Sequence, residues 1–195
     1  MAQKTLALAL FALLAGVPLQ DSPRPTCSKC SASYIPNDEI QAYLKRVTTA
    51  VSDQQVRAVD VGKTQVDIGV VFRGPITGAP NAAEHDFVSE VYHVIDGSAT
   101  LVTGWDIVDY KRRASTAQNV SQLNGPGGDG SSIRNGVAHQ LKAGDVIVIP
   151  AGVGHQFTKI DDHIRYLMVR VDPDKVTPLK DEAASRADLR GSRPQ

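Results

Sequence analysis

A chain of 195 residues suits one domain with appendages, and a hydrophobic content of 42% is enough to build a core. Lys+Arg and Asp+Glu are equal at 21 each, so the formal net charge is zero. That balance excludes the basic block expected of a nucleic-acid binder and the acidic tail of a cation sponge.

In chain order, residues 1–20 read as a signal peptide. Lys4 gives a positive start, Leu6–Val17 is an unbroken apolar run, and Pro18 ends it. The run matches a signal-peptide core and is too short to span a bilayer. It has no polar face, which separates it from an ordinary surface helix. The expectation is a secreted or periplasmic protein with no membrane span. Residues 21–35 form a Pro/Ser-rich linker holding the two cysteines, Cys27 and Cys30. A zinc site would need two more ligands, and no second pair exists. A redox Cys-x-x-Cys opens a helix after a strand, which this setting lacks, so a local disulfide is expected.

A short helix follows. Asn37 after Pro36 is a suitable N-cap, Asp38 and Glu39 suit a first turn, and Ile40, Tyr43 and Leu44 form one stripe. Strands are predicted at Gln55–Val61, Gln65–Phe72, Ser89–Ile95, Ala99–Thr103, Val146–Ile149, Gln156–Lys159 and Ile164–Val171, with Leu141 in a further one. Asp96-Gly97 reads as a hairpin turn between two of them. The fold class is therefore all-β, a jelly-roll sandwich or barrel with a short N-terminal helix, as a single domain over 36–172. Residues 106–138 interrupt it. Their run Gly125-Pro126-Gly127-Gly128-Asp129-Gly130 reads as a flexible surface loop, because a phosphate loop would need a strand before, a helix after and a Lys-Ser/Thr pair. Residues 173–195 are a polar tail in which Leu179–Arg190 has helical composition but no clear apolar stripe.

Position sorts the five histidines. Residues two apart on a strand share a face. Glu90, Tyr92 and Val94 take the core face, so Glu90 points inward, a costly placement unless it is paired or binds a metal. His85 lies one short loop upstream. Val146–Ile149 is apolar at every position, so both its faces are expected to be covered. Pro150 ends its pairing, Gly152 and Gly154 allow a sharp return, and His155 starts the next strand with Phe157 on the same face. His93 should face outward, and His163, after Asp161-Asp162, belongs in a solvated turn. His139 has the parity of Leu141, so it reads as a rim histidine and as a candidate replacement ligand or proton carrier.

These residues resemble the cupins. The second cupin motif, G-x5-P-x-G-x2-H-x3-N, is matched by Gly144, Pro150, Gly152 and His155. In the first, H-x-H-x4-E-x6-G, His85, Glu90 and Gly97 match the second histidine, the glutamate and the glycine. The first histidine falls on Ala83 and the final asparagine on Lys159. The resemblance covers roughly residues 50–172 and implies one divalent transition metal (Fe, Mn, Zn, Ni or Cu) on His85, Glu90 and His155. It implies dioxygenase-like oxidoreductase chemistry on a small organic acid, diol or phenol, with Tyr92 and Phe157 beside the substrate. Two alternatives remain: isomerase or lyase chemistry with Tyr92 or His139 carrying a proton, and a non-catalytic small-molecule-binding cupin. It also implies a homodimer.

Overall fold

The computed structural model describes residues 25–27, 29–46 and 51–191; the predicted leader at residues 1–20 lies outside them. The first hairpin pairs β1 (Val51–Asp60) with β2 (Gln65–Arg73) across a turn closed by the Val61 N–H on the Thr64 carbonyl. β2 then pairs with the last strand, β11 (Gly154–Asp172), and β11 runs against β4 (Ser89–Gly104) from Gly154↔Gly104 to Val171↔Ser89. β4 also takes β9 (Val137–Lys142) and β10 (Val146–Ile149). β3 (Ala82–His85) joins β11 at His155↔Ala83 and carries β7 (Gly127–Gly130) and β6 (Lys111–Arg112) beyond it. β5 (Asp106–Val108) and β8 (Ser132–Arg134) make a separate two-stranded ribbon. Every pairing is antiparallel. The architecture is the jelly-roll barrel with the expected short helix.

Two apolar clusters hold it. Inside the barrel, Tyr92, Val94, Leu101, Phe157, Ile164, Tyr166 and Met168 pack together, the inward sets of β4 and β11. Outside the sheet, α1 (Asn37–Leu44) places Tyr43 and Leu44 on Val56 and Val70, with Leu167 and Leu189 alongside. Asn37 is the first helical residue and Pro36 takes the cap position, one residue earlier than the composition suggested. The tail forms α2 (Glu182–Arg190), capped by the Asp181 carboxylate on the Ala184 N–H. It docks through the Tyr43 hydroxyl, which donates to the Ser185 carbonyl and to Asp188, both at 3.1 Å. Cys27 and Cys30 are joined in a disulfide. No helix among the described residues is long and apolar enough to cross a membrane.

Four expectations are corrected. Asp96-Gly97 is not a hairpin turn: β4 runs through it. Gly97 has φ +77°, and a Cβ there would stand 2.1 Å from the His163 carbonyl oxygen, so the glycine permits a bulge against β11 rather than a reversal. His163 accordingly lies within β11, paired with Asp96 at 3.0 Å, instead of in a solvated turn. Residues 106–138 are not a loose loop; they supply β5, β6, a π-helical turn at Val120–Asn124, β7 and β8. The glycines there serve close packing, since a Cβ on Gly127 would lie 2.2 Å from the Glu84 carbonyl and one on Gly128 2.3 Å from the Tyr110 ring. Finally, β10 is covered on one face only. It pairs with β4 alone, and Val146 and Val148 are 60% and 62% exposed.

Candidate metal centre

Strand ends deliver the site. His85 closes β3, Glu90 is the second residue of β4, and His155 is the second of β11. The Pro150–Val153 turn ties two of these together. Gly152, at φ +80°, donates its N–H to the carbonyl of His85 at 2.7 Å, and the Val153 N–H bonds the Pro150 carbonyl at 3.1 Å. The turn that introduces His155 is thus anchored on the backbone of His85. Ala83, where a further histidine would stand in the cupin motif, lies directly across from His155.

The three side chains are 4%, 2% and 5% exposed, and their donor atoms lie within 4.8 Å of one another. His85 Nε2 is 3.5 Å from Glu90 Oε1, and His155 Nε2 is 3.6 Å from Oε2. Burial pushes the His85 imidazole down to about 3 against the pull of Glu90, and burial lowers His155 as well. Both rings are therefore neutral near pH 7. Burial alone would raise Glu90, but His85, His155, Arg170 and a hydrogen bond from Tyr92 outweigh it and hold the carboxyl at about 2.

Two neutral imidazoles and one carboxylate are the protonation states a metal requires. Donors each ~2.1 Å from one ion stand ~3–4 Å apart, the spacing Glu90 already keeps to each histidine. His155 Nδ1 faces the Val153 carbonyl at 3.4 Å, which places its proton there and frees Nε2 for a ligand bond. The set fits a divalent transition metal. Two cations work against tight binding. Arg113 Nη1 lies 3.4 Å from His85 Nδ1 and favours the tautomer with its proton on Nε2. Arg170, fully buried, directs Nε at Glu90 Oε1 at 3.4 Å while its Nη groups hold Gln55 and Asp53.

Of the other predicted residues, Tyr92 is brought in: its hydroxyl donates to Glu90 Oε2 at 2.6 Å, and burial followed by the Glu90 charge raises its pKa well above the ordinary value. Phe157 stacks on Tyr92 at 6.5 Å between centroids, one ring removed from the carboxylate. His139 is not brought in; its Nε2 bonds the Thr103 hydroxyl at 3.0 Å, and it stands outside the ligand cluster. Cavities of about 490 and 580 Å³ lie elsewhere, one walled by Asp53, Gln118, Gln122 and Lys180 and the other by Tyr34, Arg57 and Arg186. Sequence reasoning missed Arg170 and Arg113. Arg170 carried a signal, since it shares parity with the inward Ile164, Tyr166 and Met168; Arg113 carried none beyond its basic neighbours.

The profile of the family described as the AraC-like ligand binding domain matches residues 127–192, about a third of the chain. That stretch contains His155 but neither His85 nor Glu90. No curated protein matches the sequence. Among solved structures, the EutQ protein of Clostridium difficile is similar at 17% identity, over 64% of this chain and 69% of that one, with a TM-score of 0.37. Oxalate oxidase in complex with glycolate is similar at 15% identity, over 66% and 54%, with a TM-score of 0.37. The DMSP lyase DddQ from Ruegeria pomeroyi DSS-3 is similar at 13% identity, over 73% and 59%, with a TM-score of 0.41.

Proposed function

We propose that this jelly-roll chain is a cupin that works as a secreted or periplasmic metal-dependent oxidoreductase of the dioxygenase type, acting on a small organic acid, diol or phenol. The observation that carries this is the convergence of His85, Glu90 and His155, with the rings neutral and the carboxylate charged. Held there, one divalent transition metal would supply Lewis acidity or oxygen activation with positions left open for substrate. The chain's own groups do the rest. Tyr92 stays protonated and orients Glu90 through Oε2, while Arg170 holds Oε1. The near-complete burial of all three side chains excludes bulk water. Export rests on the leader pattern in residues 1–20. Pairing of two copies rests on the exposed apolar face of β10.

A second reading, a ligand-binding cupin without turnover, has one observation behind it: each oxygen of Glu90 already accepts from a protein donor, Oε2 from Tyr92 and Oε1 from Arg170. Oxygen uptake decides between them. Protein reconstituted with Fe(II), Mn(II) or Cu(II) is offered a panel of small acids, diols and phenols, beside His155→Ala. Uptake coupled to loss of one substrate, absent in the variant, is the expected result. Saturable binding of a panel member with no uptake under any metal overturns the oxidoreductase reading in favour of the second.

A further inference from the structure

Among the described residues, every arginine but two forms an ion pair with a carboxylate. One exception is Arg190, exposed at the end of α2; the other is Arg73, which is not exposed. Arg73 closes β2 on the face of Val71, a member of the barrel core. Its Nε donates to the Tyr166 hydroxyl at 3.1 Å, and its guanidinium carbon lies 4.7 Å from the centroid of the Phe157 ring. Those contacts use one N–H of five and one face of the plane. No carboxylate makes an ion pair with this guanidinium; the Asp53 charge acts on it only from beyond contact, and it stays charged at any working pH.

The same residue borders a cavity of about 160 Å³, walled also by Phe157, Ile76, Ile160, Pro80 and Asn81. At ~30 Å³ per water this is about five water volumes, room for an acid of roughly four to six heavy atoms. The walls offer one cation, the apolar side chains of Ile76, Ile160 and Phe157, and a comparable share of polar surface that includes Asn81 and Thr77, a setting that suits a short carboxylic acid. We propose that this cavity binds a small organic monocarboxylate, its carboxylate on the guanidinium of Arg73 and its aliphatic end against Ile76 and Ile160. Phe157 links the cavity to the metal centre, because its ring also stacks with Tyr92, whose hydroxyl reaches Glu90. The proposal deepens the functional reading above by choosing the acid among its substrate classes, and rests on it only for what happens after binding. The binding step needs no metal.

The test therefore uses the purified chain stripped of metal, so that its failure and a failure of the metal centre are separate results. Calorimetric titrations are run with butyrate, with butyramide and with inorganic phosphate. The expected result is saturable butyrate binding at one site, weakened about tenfold or more in butyramide, which has the same shape and no charge. Arg73→Gln is expected to weaken butyrate by a similar factor, and Arg73→Lys, which keeps the charge but not the planar fork, by less. Equal binding of acid and amide, undiminished butyrate binding by a folded Arg73→Gln, or no saturable binding at all would overturn the proposal. Phosphate binding tighter than butyrate would overturn the ligand class. If Arg73→Gln does not fold, the comparison of acid and amide on the wild-type chain decides alone.

Discussion

Replacing Glu90 by Gln keeps the shape of the side chain and removes its charge. In the fold the carboxylate accepts from Tyr92 at 2.6 Å and from Arg170 at 3.4 Å, with the two imidazoles at 3.5 and 3.6 Å. These surroundings hold its pKa at about 2, against an ordinary 4.5. At pH 7 both imidazoles are neutral, so the charge that Glu90 answers there is that of Arg170. Removing one partner of a buried ion pair costs ~3–5 kcal/mol, because the other charge is stranded. Arg170 keeps Asp53 and Gln55, which points to the lower end of that range. Glu90→Gln in metal-free protein is thus expected to lose ~3 kcal/mol at pH 7, a fall in Tm of roughly 6–12 °C for a chain of this size. Urea unfolding followed by far-UV circular dichroism measures it. A loss below ~0.5 kcal/mol would refute the claim that Glu90 is the electrostatic hub of the barrel.

Acid should unfold the protein in two overlapping windows. His85 is held neutral at about 3 in the fold, so the unfolded chain takes up its proton first and stability falls as pH drops below 6.5 toward 3. Glu90 is held ionised at about 2, so its contribution is complete above 4.5 and is lost as pH falls through 4.5 toward 2. Thermal scans of metal-free protein across pH 7 to 3 should show Tm falling throughout, and a flat profile down to pH 4.5 would contradict the neutral imidazole. Gly97→Ala places a Cβ 2.1 Å from the His163 carbonyl at a φ of +77°, and is expected to cost more than ~2 kcal/mol by urea unfolding. A neutral outcome there would mean that β4 and β11 do not bulge at that point.

Strand parity made much of the site legible. Glu90 was readable as inward because it keeps step with Tyr92 and Val94, and His155 because a proline and two glycines reset the chain just before it. The same logic applied to Ile164, Tyr166 and Met168 would have turned Arg170 inward as well. Parity gives a face and not a partner. That Arg170 meets Glu90 depends on β11 pairing with β4 across the barrel, and no local pattern fixes that register. Glycine was the other source of error. At Gly97 and at Gly127-Gly128 it marks a place where another backbone or ring comes close, and sequence alone does not separate that use from a turn. Val146 and Val148 misled for a related reason: a fully apolar strand reads as covered on both faces, whereas β10 pairs only with β4 and leaves one apolar face outward.

The central claim is that His85, Glu90 and His155 hold a metal, and elemental analysis tests it most directly. The chain is purified without chelator or nickel resin, beside a His85→Ala/His155→Ala double variant. Near-stoichiometric transition metal in the wild type, lost in the variant, is the predicted result. Absence of metal from the wild type after reconstitution with each of Fe, Mn, Zn, Ni and Cu, or equal metal content in both proteins, would contradict it.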